Sequence, residues 1–228
     1  MFSVIIPIFN ESLNIENLLE EINQSLINYE NYEIILINDF STDKTVEVIN
    51  KINNNKIKLV NNNKNLGQSY SIHKGIKLSS YKIIVTIDGD GQNDPADIPN
   101  LLEIYLSMND VELVGGLRLK RQDNIIKKLS SKIANNIRSK ILNDNCKDTG
   151  CSLKIFNKQI FLSFPYFDGI HRFLAALFSG YGFKTTFVEV NHRKRRYGVS
   201  KYGTINRLFK GISDIIRVKK ILKEKNHV

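Results

Sequence analysis

The sequence predicts an α/β domain with a mostly parallel central sheet covered by helices on both faces. Three observations carry that expectation. Short, near-continuous apolar runs alternate with segments of helical period: "FSVIIPIF" (2–9), "YEIILIND" (32–39), "KIKLV" (56–60) and "YKIIVTI" (81–87). Strands of that kind are buried on both sides, as in parallel sheets flanked by helices. Asn10, Asp39, Asp88 and Asp90 fall where these runs end, and open α/β sheets bind ligands beyond the carboxyl ends of their strands. Finally, 228 residues with 42% hydrophobic content suffice for one large core, and no Pro/Gly/Ser linker divides them.

The elements follow in order. After 2–9, Asn10 or Ser12 is expected to cap a helix with Ile15, Leu18, Leu19, Ile22 and Leu26 at helical spacing. A second helix, with Val46, Val48, Ile49 and Ile52, follows 32–39, and a third spans 67–78. Asp94, Pro95 and Asp97 suit the N-cap, first and third positions of a short helix, so both carboxylates read as structural. "VELVGGLR" (111–118), "CSLKIF" (151–156) and "KTTFVEV" (184–190) read as later strands. Helices are expected over 125–142, near 170–179 and over 204–222. The last has an apolar stripe of Ile205, Leu208, Phe209, Ile212, Ile215, Ile216 and Leu222 beside Arg207, Lys210, Arg217, Lys219 and Lys220. Such a stripe packs on a core or lies on an anionic bilayer.

Charge divides the chain. Residues 1–114 hold 8 Lys and no Arg against 16 acids, whereas 115–228 hold all nine Arg and a net charge of +18. An acidic half suits a cation and a basic half suits an anion. No run of eighteen apolar residues predicts a membrane-spanning helix. "MFSVIIPIFNES" reads as a first strand and not as a signal peptide. Cys146 and Cys151 form neither a disulfide framework nor a metal cluster, and read as packing thiols in a reducing cytosolic setting.

"TIDGDGQNDP" (86–95) carries the chemistry. Asp88 and Asp90 stand two apart, as do side chains on one side of a strand, and can converge on one cation. Gly89 and Gly91 leave room beside them, and Gln92 offers a third oxygen. Hard oxygens with places left for water and phosphate suit Mg²⁺ or Mn²⁺. Asp39 fits a ribose or base contact, and equally an Asx turn opening the next helix. "NHRKRRYGVSKYG" (191–203) has five cations within 193–201. It reads as a solvated loop, a nucleic-acid patch or a phosphate clamp.

The ordered set "FSVIIPIFNE", "ILINDFSTDKT", "IDGDGQNDP", "DTGCSLKIF", "GIHRFL" and "HRKRRYGVSKYG" resembles family 2 glycosyltransferases of the GT-A fold over roughly residues 2–215. The resemblance is strongest to the branch with dolichol-phosphate mannose synthase and bacterial polyprenyl-phosphate glycosyltransferases. It implies a single Rossmann-like glycosyltransferase domain over 1–228: a nucleotide and metal half (1–116), an acceptor half (117–203) and a basic amphipathic helix (204–228). It implies Asp88, Asp90 and Gln92 as ligands of Mg²⁺ or Mn²⁺, with Pro7, Asn10, Glu11 and Asp39 on the nucleotide. Arg118 resembles the arginine that holds an acceptor phosphate. Arg195, Ser200 and Lys201 resemble the basic loop that closes over phosphates. Two departures stand out. Asn38-Asp39 replaces the usual pair of acids, and only Lys127 and Lys128 stand where a second acceptor-phosphate arginine is expected.

The implied reaction is inverting transfer of a hexose from a UDP- or GDP-sugar to a polyprenyl phosphate at an anionic membrane surface on the cytoplasmic face. Two alternatives remain open. One is transfer to a saccharide hydroxyl, and the other is a catalytically silent nucleotide-sugar-binding module. Nucleic acid is not an expected partner, because an acidic half would face it and no RNA- or DNA-binding motif is present.

Overall fold

A computed structural model describes residues 1–118, 136–195 and 204–225, with side chains in the last stretch described from Gly211 onward. Ser200, Lys201, Lys127 and Lys128 lie outside the described residues, as do most of the basic loop and the first part of the helix expected over 125–142.

Seven strands form one sheet in the order β3-β2-β1-β4-β6-β5-β7. They are β1 (Phe2–Ile8), β2 (Tyr32–Asn38), β3 (Ile57–Asn61), β4 (Ile83–Thr86), β5 (Val111–Leu117), β6 (Lys154–Asn157) and β7 (Lys184–Glu189). β6 runs antiparallel to β4 and β5, and the other pairs are parallel. The helices are α1 (Ile15–Ser25), α2 (Thr45–Asn50), α3 (Gln68–Leu78), α4 (Ile98–Ser107), α5 (136–142), α6 (Lys158–Ser163), α7 (Leu174–Gly180) and α8 (Thr204–Lys225).

The two-sided core explains the unbroken apolar runs. In β1, Val4, Ile6 and Ile8 face a core shared with α1, α2 and α4, while Ile5 faces the second core with α3, α6, α7 and α8. β2 divides alike, Ile34 and Leu36 from Ile35 and Ile37. Helix α3 lies so close to the sheet that a Cβ on Gly75 would stand 2.6 Å from Ile5. The chain crosses from β3 back over β1 to β4, so the ends of β1, β2 and β4 border a switch in strand order, where such sheets form ligand crevices.

Three expectations are corrected. Asn14, and neither Asn10 nor Ser12, occupies the N-cap of α1, with no side-chain bond. Asn10 instead takes φ 55° and turns its carbonyl oxygen to the β2 loop. The β6 ladder begins at Lys154 and not at Cys151, because the Ser152 carbonyl accepts from the Thr86 hydroxyl (2.7 Å) and the Ser152 hydroxyl oxygen accepts from the Asp88 N–H in the β4 turn. The α8 stripe is not one face. Val218 is buried and Ile215, Ile221 and Leu222 pack on the second core, whereas Ile212 and Ile216 are 51% and 65% exposed. Asp94 caps its helix through Ala96 N–H (3.0 Å) as expected, and both cysteines are buried and free. Among the described residues no helix is long and apolar enough to cross a membrane.

Candidate active site

The carboxylate turn is built where β4 ends. Beyond Thr86, Ile87 still bonds to Ile5 O (3.3 Å), and then the chain leaves the sheet. Gly89 permits that exit against β1, because a Cβ there would meet Ile8 at 2.7 Å and the Pro7 carbonyl at 3.2 Å. Asp88 is held on two sides. Its N–H donates to Ser152 Oγ (3.1 Å), and its carboxylate accepts from Gln68 Nε2 (2.7 Å) at the start of α3. Asp90 accepts from the Gln92 N–H (3.1 Å). The Ser152 hydroxyl donates a hydrogen bond to Asn93 Oδ1 (2.6 Å), which fixes the far end of the turn.

The β1 and β2 loops are stapled together. Asn10 Oδ1 accepts from Thr42 N–H (2.7 Å), Glu11 N–H donates to Thr45 Oγ1 (2.9 Å) and Ser12 N–H donates to Asp43 (3.2 Å). Asp39 is buried and accepts from Asn62 Nδ2, Leu66 N–H and Gly67 N–H, each at 2.8 Å. Its carboxylate organises the 62–67 loop, and Gly67 has φ 86°, a turn that favours glycine.

The basic half reaches this acidic rim. An antiparallel bridge joins Asn93 to His192, and Arg193 N–H donates to Gln92 O (2.8 Å). Arg193 then spans Glu21 and Asp94, both at 2.6 Å, and Arg195 pairs with Glu11 at 2.7 Å. Arg118, directly after β5, forks onto Asp148 through Nε (2.7 Å) and Nη2 (2.9 Å), with side chains 11% and 5% exposed. Gly150 makes room for that fork, since a Cβ there would stand 2.8 Å from Arg118 Nη2.

The structure therefore brings Asp88, Asp90, Gln92, Glu11 and Arg195 to one rim, with Pro7 and Asn10 on its β1 side. Asp39 stands at the end of the neighbouring strand, spent on a loop. Arg118 approaches from β5, with its charge acting on Asp88. Gln92 turns its amide nitrogen to the Arg193 carbonyl at a long 3.5 Å. Sequence reasoning assigned no role to Gln68, Asn93, Asp148 or Ser152. Asp148 and Ser152 stand within "DTGCSLKIF" and Asn93 within "TIDGDGQNDP", so the motifs themselves were the available signal; Gln68 carries none without the packing of α3 against β4.

The donor set fits a hard divalent cation. Among the described residues no three His, Cys, Asp or Glu side chains converge as a closed metal cage. Two carboxylates do converge, and burial, followed by the charge of Asp90, pushes the Asp88 carboxyl up to about 6. A cation relieves that like-charge conflict and would take its other oxygens from phosphate and water, as Mg²⁺ and Mn²⁺ do.

Known proteins resemble this chain over most of its length. It is 34% identical over 223 residues to dodecaprenyl-phosphate galacturonate synthase of Rhizobium johnstonii, covering 95% of this chain and 65% of the relative. It is 31% identical over 210 residues to undecaprenyl-phosphate 4-deoxy-4-formamido-L-arabinose transferase of Aeromonas hydrophila, covering 90% and 64%. The chain thus spans just under two thirds of the length of these relatives. The fold is shared with glucosyl-3-phosphoglycerate synthase of Mycobacterium tuberculosis, solved with Mn²⁺, UDP and phosphoglyceric acid, at a TM-score of 0.71, 19% identity and coverage of 96% and 76%. Mannosyl-3-phosphoglycerate synthase of Rubrobacter xylanophilus also gives a TM-score of 0.71, at 13% identity and coverage of 100% and 75%. These neighbours bear out the GT-A fold. With residues 3–163 matching the profile of Glycosyl transferase family 2, the chain belongs to that family.

Proposed function

We propose that this protein is a metal-dependent, inverting glycosyltransferase that moves a hexose from a UDP- or GDP-sugar to a polyprenyl phosphate. The observation that carries the reading is the bridge between Asn93 and His192, which sets Arg193 against the rim that bears Asp88 and Asp90. A diphosphate needs that combination of cation-holding carboxylates and arginines. The named relatives of two polyprenyl-phosphate types support the acceptor class. We further read 1–228 as one domain, with 1–116 as the donor half, 117–203 as the acceptor half and 204–228 as a basic helix.

The roles follow from the chemistry. A divalent cation on Asp88 and Asp90, with Gln92 nearby, would neutralise charge that grows on the departing diphosphate. Arg195, with Ser200 and Lys201 of the same segment, holds the phosphates electrostatically. Pro7, Asn10, Glu11 and Asp39 border the nucleotide. Arg118 orients the acceptor phosphate. That acceptor needs no dedicated base, because a phosphomonoester with a second pKa of ~6 is largely ionised at neutral pH. The protein works at the anionic cytoplasmic face of a membrane, where each nearby cation contributes about 1 kcal/mol.

The test is transfer of labelled sugar from UDP- and GDP-sugars into the lipid phase with undecaprenyl phosphate and Mg²⁺ or Mn²⁺. Metal-dependent label in lipid is expected. Transfer only to a saccharide, or nucleotide binding without turnover, would replace this reading with one of its alternatives.

A further inference from the structure

Lys154 is a buried cation for which the chemistry so far has no use. It opens β6 and is only 5% exposed, on a strand whose neighbours Leu153, Ile155 and Phe156 are fully buried. Among the described residues, the hydrogen-bond partner of its ammonium is the Cys151 carbonyl, and no carboxylate lies within ion-pair range. An ammonium has three donors, and burying a charge without a counter-charge is costly. A strand position of this kind is ordinarily apolar, so the lysine needs a reason.

Its surroundings supply one. Lys154 stands opposite Thr86 in the β4 ladder, two residues before Asp88, and opposite Gly115 in the β5 ladder, three residues before Arg118. The side chain folds back to Cys151, between Gly150, which abuts the Arg118 guanidinium, and Ser152, which holds the Asp88 N–H. Among the described residues, Lys154 and Arg118 are the cations whose charges act on Asp88. Two cations from neighbouring strands thus flank the carboxylate turn, and one is already paired with Asp148.

We propose that Lys154 is a further phosphate-binding residue of this site, its ammonium meeting with Arg118 the oxyanions of the acceptor phosphate. The inference rests on the lipid-phosphate reading above. A lysine suits the position because its point charge can follow an oxyanion through small shifts, while the Arg118 fork is fixed by Asp148.

The rival role is a counter-charge for the metal carboxylates alone, and the two separate by ligand. The probe is farnesyl phosphate, titrated calorimetrically into the full chain with Mn²⁺ and UDP, and Mn²⁺ binding is followed in parallel by electron paramagnetic resonance. Lys154→Gln keeps a donor for Cys151 on a side chain one atom shorter and drops the charge, and Lys154→Met is the apolar control should Gln fail to fold. We expect farnesyl phosphate to bind at least tenfold more weakly to a folded neutral variant, with Mn²⁺ bound as tightly as before or more tightly. Lys154→Arg should recover part of the loss. Unchanged farnesyl phosphate binding, or weaker Mn²⁺ binding by the neutral variant, overturns the inference and leaves the lipid-phosphate reading standing. No binding by the wild-type protein removes both.

Discussion

At the scale of residues, the site sets like charges together and then supplies what relieves them. Asp88 and Asp90 were legible because their spacing and the glycines between and after them are local features. The second layer was not: Gln68 meets Asp88 from 20 residues away, and Ser152 from 64. Asp90→Ala should leave the fold intact and reduce turnover by ~10²–10³-fold or more, the scale of a lost charge-stabilising group; circular dichroism and the transfer assay check both halves. Gly150→Ala pushes a methyl into Arg118. It should cost about 1–3 kcal/mol of stability, as overpacking does, and raise the acceptor KM more than the donor KM. Asp148→Ala leaves a buried guanidinium uncompensated, for which about 3–5 kcal/mol is expected from broken buried pairs. A Tm unchanged from wild type would contradict that accounting.

At the scale of elements, strand and helix order could be read because each local pattern agreed with the burial it received. β1 and β2 are apolar throughout since both faces are covered, and α1 buries Ile15, Leu18, Leu19 and Ile22 as its spacing requires. The start of α1 was misread because Asn10 and Ser12 are equally good for capping and for tying loops, and only the neighbouring 41–43 loop decides. α8 was ambiguous for a related reason: one stripe of isoleucines serves two faces. Val218→Ala, in the packed face, should destabilise by about 1–2 kcal/mol, toward the lower end of large-to-small core changes. Ile216→Ser, in the exposed face, should stay within about 0.5 kcal/mol of wild type. If α8 rests on a bilayer, Ile216→Ser also loosens binding to vesicles of anionic lipid in a flotation assay. Equal flotation by the two proteins would assign the exposed isoleucines no part in membrane contact.

At the scale of the molecule, the uneven distribution of charge becomes a geometry. The acidic first half ends its strands in a rim, and the basic second half is brought onto that rim from β5 and from the segment after β7. Arg195 meets Glu11 across 184 residues, a pairing that composition suggests only as two opposed surfaces. In the proposed reaction this junction transfers sugar to a lipid phosphate with the help of a divalent ion. The most direct measurement incubates the purified chain with undecaprenyl phosphate, a panel of labelled UDP- and GDP-sugars and Mn²⁺ or Mg²⁺, with and without EDTA. Label from one donor should enter the lipid phase, stop with EDTA and resume when the metal is restored. Label that enters lipid at the same rate in EDTA, or never enters it with any donor, would contradict the account.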